Sequence, residues 1–442
     1  MTVADFRIPR ARLLVVAGTV IGVAAMLWLS RGFYFYFDEW DFILTAPDWT
    51  WTTYLQPHNE HPVMLPRLIY AVLLATVGLR SYLPYMAVLL ALHAASVVLL
   101  FELARRRGGD LVGIAAAALL LVLGAGWENL LWAFQIAFVG SVACGLGALL
   151  TLEGPATRAR SILAAALLGG SLMFSGIGAF FGLAVAVRLA WTPGRRRDLM
   201  WLVPVALALG AWYLAFGHRG APPNPPPSAA NIVLLPLYVL WGLGSSAAGL
   251  AGESGVFAPP ALVLTVVAIG LAWRSRRPHP LALGVAAGLL GLYVITGLTR
   301  AQLGYQQSGA ARYVYVGAVF WMLLLSDPAG RLPWRGTWRP ALLAIVFLAS
   351  FNSGVLLFTY AAAKTAQMNR ELADLQALAA ERLDPCLNPN ASVDSLVMPQ
   401  VTSSTLYYRA IDRFGDPSSG LPVTDEADFD HARSNLELSG CR

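Results

Sequence analysis

Apolar runs separated by short polar or arginine-bearing loops occupy nearly all of residues 13–358. Runs at 13–29, 82–104, 111–125, 136–152, 162–174, 177–191, 201–216, 261–273, 281–298, 314–325 and 342–358 read as membrane-crossing helices. Two further runs, 62–77 and 232–250, break the alternation. If both crossed, Arg105-Arg106-Arg107 and the Arg274, Arg276 and Arg277 group would fall on the side that positive charge avoids. The run at 62–77 also carries Pro62, Pro66 and Arg67, and a hydrocarbon core needs about 20 residues to span. Both runs are therefore expected to lie on, or re-enter from, the outer face. The pattern predicts an all-α polytopic membrane protein with about eleven full spans, against about thirteen if both doubtful helices crossed.

Beyond residue 360 the apolar runs stop. Residues 361–383 read as a helix ended by Asp384-Pro385, and the rest is polar and loop-like. This divides the chain into a membrane region, 1–360, with an outer loop at 31–81, and a small C-terminal region, 361–442.

Composition agrees with this reading. Of 442 residues, 57% are hydrophobic and only 13% charged, whereas soluble domains carry about 25% charged residues. The net charge of +6 arises from arginine clusters between spans, not from a basic stripe with base-stacking aromatics, so no nucleic-acid partner is expected. Arg7, Arg10 and Arg12 place the N-terminus in the cytoplasm and the C-terminus outside. The first run has no small-residue cleavage site and reads as an uncleaved anchor. Cys144 lies within a span. Cys386 and Cys441 lie in the outer tail, where an oxidising space favours their pairing as a disulfide.

Four polar clusters then fall on one face. The first is Phe37-Asp38-Glu39-Trp40-Asp41, three carboxylates within an aromatic segment at the membrane boundary. Close carboxylates raise one another's pKa unless a cation is near, which leaves open a base, a metal site and a cation gate. The second is His58-Asn59-Glu60-His61; it lacks the HExxH spacing of a metalloprotease, so bonding at a helix start competes with metal ligation. The third is Glu128-Asn129 with Trp127, Trp132 and Gln135. The fourth runs from Arg300 to Tyr315 and holds Tyr305, Arg312 and Tyr313, and an outward arginine such as Arg312 suits phosphate. Ionisable groups near membrane depth tend to be functional.

Together the acidic motif after the first span, the His61-Pro62 and Leu65-Pro66-Arg67-Leu68 segment, the 128–135 stretch and Ala311-Arg312-Tyr313 resemble the GT-C superfamily of integral membrane glycosyltransferases. The resemblance covers the layout of residues 10–360. It implies sugar transfer from a polyprenyl-phosphate donor to a cell-envelope glycan, lipid or protein acceptor, with inversion, in a bacterial inner membrane. On it, Asp38 is the base. Glu39 and Asp41 orient the acceptor or, with Asp38, hold a divalent cation (Mg or Mn). His58, Glu60, His61, Arg67, Glu128, Asn129, Gln135, Tyr305, Arg312 and Tyr313 bind substrate. Two rival readings use the same residues: a transporter or lipid flippase with the acids as a cation or proton site, and a non-catalytic envelope-assembly protein.

Overall fold

The computed structural model describes residues 1–219, 226–252, 255–275 and 277–438. Among these residues the regular structure is helical, with isolated bridges only besides. Helix α1 (Ala11–Leu29) leads into an outer loop that carries α2 (Glu39–Thr45) and α3 (Met64–Thr76). Next come α4 (Leu83–Leu121), α5 (Glu128–Leu131), α6 (Ile136–Thr151), α7 (Arg158–Phe174), α8 (Gly178–Trp191) and α9 (Val203–Ala215). The chain continues through α10 (Ala229–Ala248), α11 (Ala258–Ser275), α12 (Pro280–Arg300), α13 (Ala311–Gly330) and α14 (Trp338–Glu381), and ends with α15 (Ser404–Phe414) and α16 (Glu426–Leu436).

Among the described residues, 9 helical segments are long and apolar enough to cross a membrane. One of these is α4, which is really two runs. Gly109 has φ +86°, and the chain doubles back there so that Gly113 lies against Phe101. Only glycine suits the position: its φ is positive, and a Cβ would come within 2.8 Å of Ala4. With α4 split and the shorter α7–α8 hairpin added, each run expected to cross is a helix.

Helix α10 is also of crossing length, but its course is oblique. At its start Asn231 donates to the Gly297 carbonyl at the end of α12. At its finish Gly249 sits against Val314 at the start of α13, and against Ala125. Both of its ends thus reach the same end of the bundle. Helix α3 is two-sided: Tyr70 and Leu74 are buried while Leu68 and Val72 are exposed, the pattern of a helix lying on a surface.

The arginine-bearing loops meet at the opposite end. There Arg12 pairs with Glu102 at 2.6 Å, Arg105 with Asp110 at 3.3 Å, and Arg188 with Glu153 at 2.7 Å. The N-terminal residues join them, with Thr2 bridged to Pro333. At the acidic end α14 continues past its apolar part, α16 packs on it, and α15 packs on α2. Arg409 of α15 reaches Asp48 of the outer loop at 2.5 Å. Cys144 is a free thiol; the expected Cys386–Cys441 pair involves Cys441, which lies outside the described residues.

Candidate active site

The acidic motif folds as a tight turn opening into α2. Trp40 N–H donates to Phe37 O at 2.9 Å, and Phe37 takes a left-handed φ of +48°. Asp38 occupies the helix start, so helical spacing puts Asp38 and Asp41 on one face and turns Glu39 to another. Asp38 and Asp41 line a cavity of about 620 Å³, together with Tyr36, His58, His61, Glu128, Arg300, Arg312 and Lys364.

Glu39 faces inward instead. It is fully buried, accepting from Tyr70 OH at 2.5 Å, Tyr82 OH at 3.0 Å and Tyr36 N–H at 2.9 Å. Burial raises its pKa to about 7 against the pull of those three hydrogen bonds. Asp41 is raised to about 6, chiefly by burial; His58 opposes the rise and Asp38 adds to it. Desolvation rather than carboxylate repulsion is thus the larger cause at both acids.

Residues 58–61 form a two-residue hairpin. His58 and His61 exchange backbone hydrogen bonds of 3.1 and 3.0 Å, and Asn59 sits at φ +53°, which asparagine tolerates. The hairpin carries His58 to within 3.9 Å of Asp38. Donor atoms of Asp38, Asp41 and His58 lie within 4.8 Å of one another, a spacing and donor set that fits one divalent cation. His58 Nε2 is buried and makes no hydrogen bond. His61 packs against Gly176 in the α7–α8 turn, where a Cβ would meet its Nδ1 at 2.8 Å. Burial, and then Arg300, lower its pKa to about 4, so it is neutral.

The cationic wall comes from α12 and α13. Arg300 pairs with Glu60 at 2.6 Å and also holds the Tyr313 hydroxyl; Arg312 pairs with Glu128 at 3.3 Å. Glu60 and Tyr313 thus act on the cavity through Arg300. Gln135 lines the cavity with its Oε1 unpartnered, as are Gln400 Oε1 and Trp132 Nε1, which line it too. Such groups are ones a polar ligand would satisfy.

Three other expected residues stand apart from the cavity lining. Arg67 is spent on the loop, donating to the carbonyls of Thr53, Gln56 and Pro57. Asn129 is fully buried behind the wall. Tyr305 rests edge-on against Trp241, with ring centroids 5.2 Å apart.

Arg300, which opens the fourth polar cluster but carries no role in the sequence reading, joins the cavity, and Lys364 escapes that reading altogether. Lys364 lies on α14 past the last apolar run, only 3% exposed. Its Nζ is 2.9 Å from the Tyr36 ring centre, with Trp132 at 5.3 Å and Trp127 at 5.7 Å. A signal for it does exist in the sequence: it is the only lysine in a chain that otherwise uses arginine.

An apolar groove of about 500 Å³ lies beside this cavity, lined by Pro62, Met64, Leu172, Trp201 and Trp212 among others. It begins where His61 leaves the cavity wall.

No family model matches the sequence, and no curated protein matches it in sequence. In three dimensions the chain is similar to ArnT from Cupriavidus metallidurans. The structure of ArnT bound to undecaprenyl phosphate matches with a TM-score of 0.50 and 16% identity, covering 96% of this chain and 77% of that one. The apo structure of ArnT matches with a TM-score of 0.51 and 16% identity, covering 96% and 84%. The all-helical architecture expected from the layout is a fold that this chain shares with ArnT.

Proposed function

We propose that this protein is an integral membrane glycosyltransferase moving a sugar from a polyprenyl-phosphate donor to a hydroxyl of an envelope glycan, lipid or protein acceptor. The observation that carries this reading is one cavity with carboxylates on one wall and arginines on the other, opening beside an apolar groove. The likeness to ArnT, solved with undecaprenyl phosphate bound, supports a polyprenyl donor.

In this mechanism Asp38 removes the acceptor hydroxyl proton as the oxygen attacks the anomeric carbon. The bond from that carbon to the phosphate oxygen breaks, and the phosphate leaves with the electron pair. Arg300, Arg312 and Lys364 face the cavity where that charge develops, and stabilise it. Asp41 and His58, with Asp38, are the residues that would hold a divalent cation, which would supply further positive charge. The lipid tail lies in the groove by Pro62 and Trp212. Attack opposite the leaving phosphate inverts the anomeric carbon. The arginine end faces the cytoplasm of a bacterial inner membrane and the cavity faces outward.

Transfer from radiolabelled polyprenyl-phosphate sugar in membranes tests the reading. Asp38→Asn is expected to lower it by about 100-fold or more. Full activity in that variant removes Asp38 as the base. A wild type that transfers from no such donor turns the cavity over to cation-coupled transport.

A further inference from the structure

Resting on Asp38 as the base, we infer that Glu371 of α14 is its positioning residue, acting through the backbone of Phe37. Phe37 immediately precedes Asp38, and its left-handed φ of +48° is one that residues bearing a Cβ adopt only under constraint. The constraint is visible on both sides of the turn. Tyr36 N–H is held by the buried Glu39 carboxylate at 2.9 Å, and Phe37 N–H is held by Glu371 Oε2 at 3.2 Å. Glu371 is 1% exposed and is not part of the cavity wall, and its Oε1 has no partner. A carboxylate kept buried with one oxygen unsatisfied is costly, and the contact that Oε2 makes is with this turn.

Two helical turns earlier on α14, Lys364 sits against the Tyr36 ring. The outer half of α14 thus grips both residues that lead into Asp38. Without Glu371, Phe37 relaxes toward negative φ, the next peptide rotates, and Asp38 leaves the wall it shares with Asp41 and His58. Glycine at position 37 would hold the same φ without a clamp.

A double-mutant cycle on the full-length protein tests this. Glu371→Ala is expected to lower kcat roughly tenfold with KM little changed, the signature of a lost transition-state geometry. Glu371→Gln, whose amide oxygen still accepts from Phe37 N–H, keeps most of the activity. In a Phe37→Gly background the same Glu371→Ala change costs less than about threefold. Equal costs in the two backgrounds, or a rise in KM alone, overturn the inference. Amide hydrogen exchange over residues 36–41 supplies a second readout that needs no substrate. Exchange is expected to quicken in Glu371→Ala and to stay near wild type in Glu371→Gln, and unchanged exchange in Glu371→Ala overturns the clamp. If the wild type transfers no sugar, the glycosyltransferase reading fails while the exchange measurement still decides the clamp.

Discussion

Asp38 and Glu39 are adjacent in the chain, and a helical step of about 100° sends them into different surroundings. Asp38 lies beside His58 on the cavity wall, whereas Glu39 accepts from two tyrosine hydroxyls and a backbone N–H in the loop interior. The sequence made the acidic cluster visible but gave no means of sorting its members, because the sorting depends on where α2 starts. Helix periodicity could have separated Asp38 and Asp41 from Glu39 once that start was known. Glu39 carries a stability consequence. Its folded pKa of about 7 lies above the ordinary glutamate value, so the folded state holds the proton more tightly than the unfolded chain. The stabilisation is complete below about pH 4.5 and is lost as pH rises through about 7. Glu39→Gln removes that term. The melting temperature of the variant in detergent, relative to wild type, should therefore rise between pH 5 and pH 8. A constant difference across that range would place the proton elsewhere.

At the scale of elements, hydropathy was sufficient to place helices where crossing runs are expected, and the arginine-bearing loops between them meet at one end of the bundle. Contacts between helices were less legible, because apolar periodicity does not say which face meets which neighbour. The α8–α12 pair shows what decides it. Gly284 and Gly288, one turn apart, let α12 approach the backbone of α8 at Ala184 and Phe180, the small-residue packing that membrane helices use in place of a hydrophobic drive. A Cβ at Gly284 would lie 2.2 Å from the Ala184 carbonyl oxygen. Gly284→Ala is expected to cost about 1–3 kcal/mol through forced separation, read as a lower melting temperature. Gly210→Ala, with open space at its Cβ position, is the control and should melt as wild type does. The course of α10 belongs to the same scale. Its length permits crossing, and the contacts at its two ends show it running obliquely at the acidic end.

Over the whole molecule, arginines from the N-terminus, α4, α7, α8 and the α13–α14 connection gather at one pole with their acidic partners, and the acids, histidines and aromatic rings of the outer loop gather at the other, facing Arg300, Arg312 and Lys364. The C-terminal region, which reads in sequence as a tail, joins the second pole: Lys364 and Gln400 line the cavity, and α15 seats on α2. Nothing in local pattern foretold that, since the contact joins segments more than 300 residues apart. The polarity implies an orientation that labelling can test. In a background of Cys144→Ala, Cys386→Ser and Cys441→Ser, a cysteine placed at exposed Ala156 reports the arginine pole, and one at exposed Gln56 reports the cavity pole. An impermeant maleimide applied to intact spheroplasts should label Gln56→Cys and leave Ala156→Cys unlabelled until the membrane is opened. The reverse pattern would put the cavity in the cytoplasm. The acceptor would then have to be cytoplasmic too, while the chemistry of the Asp38 wall and the arginine wall would be unchanged.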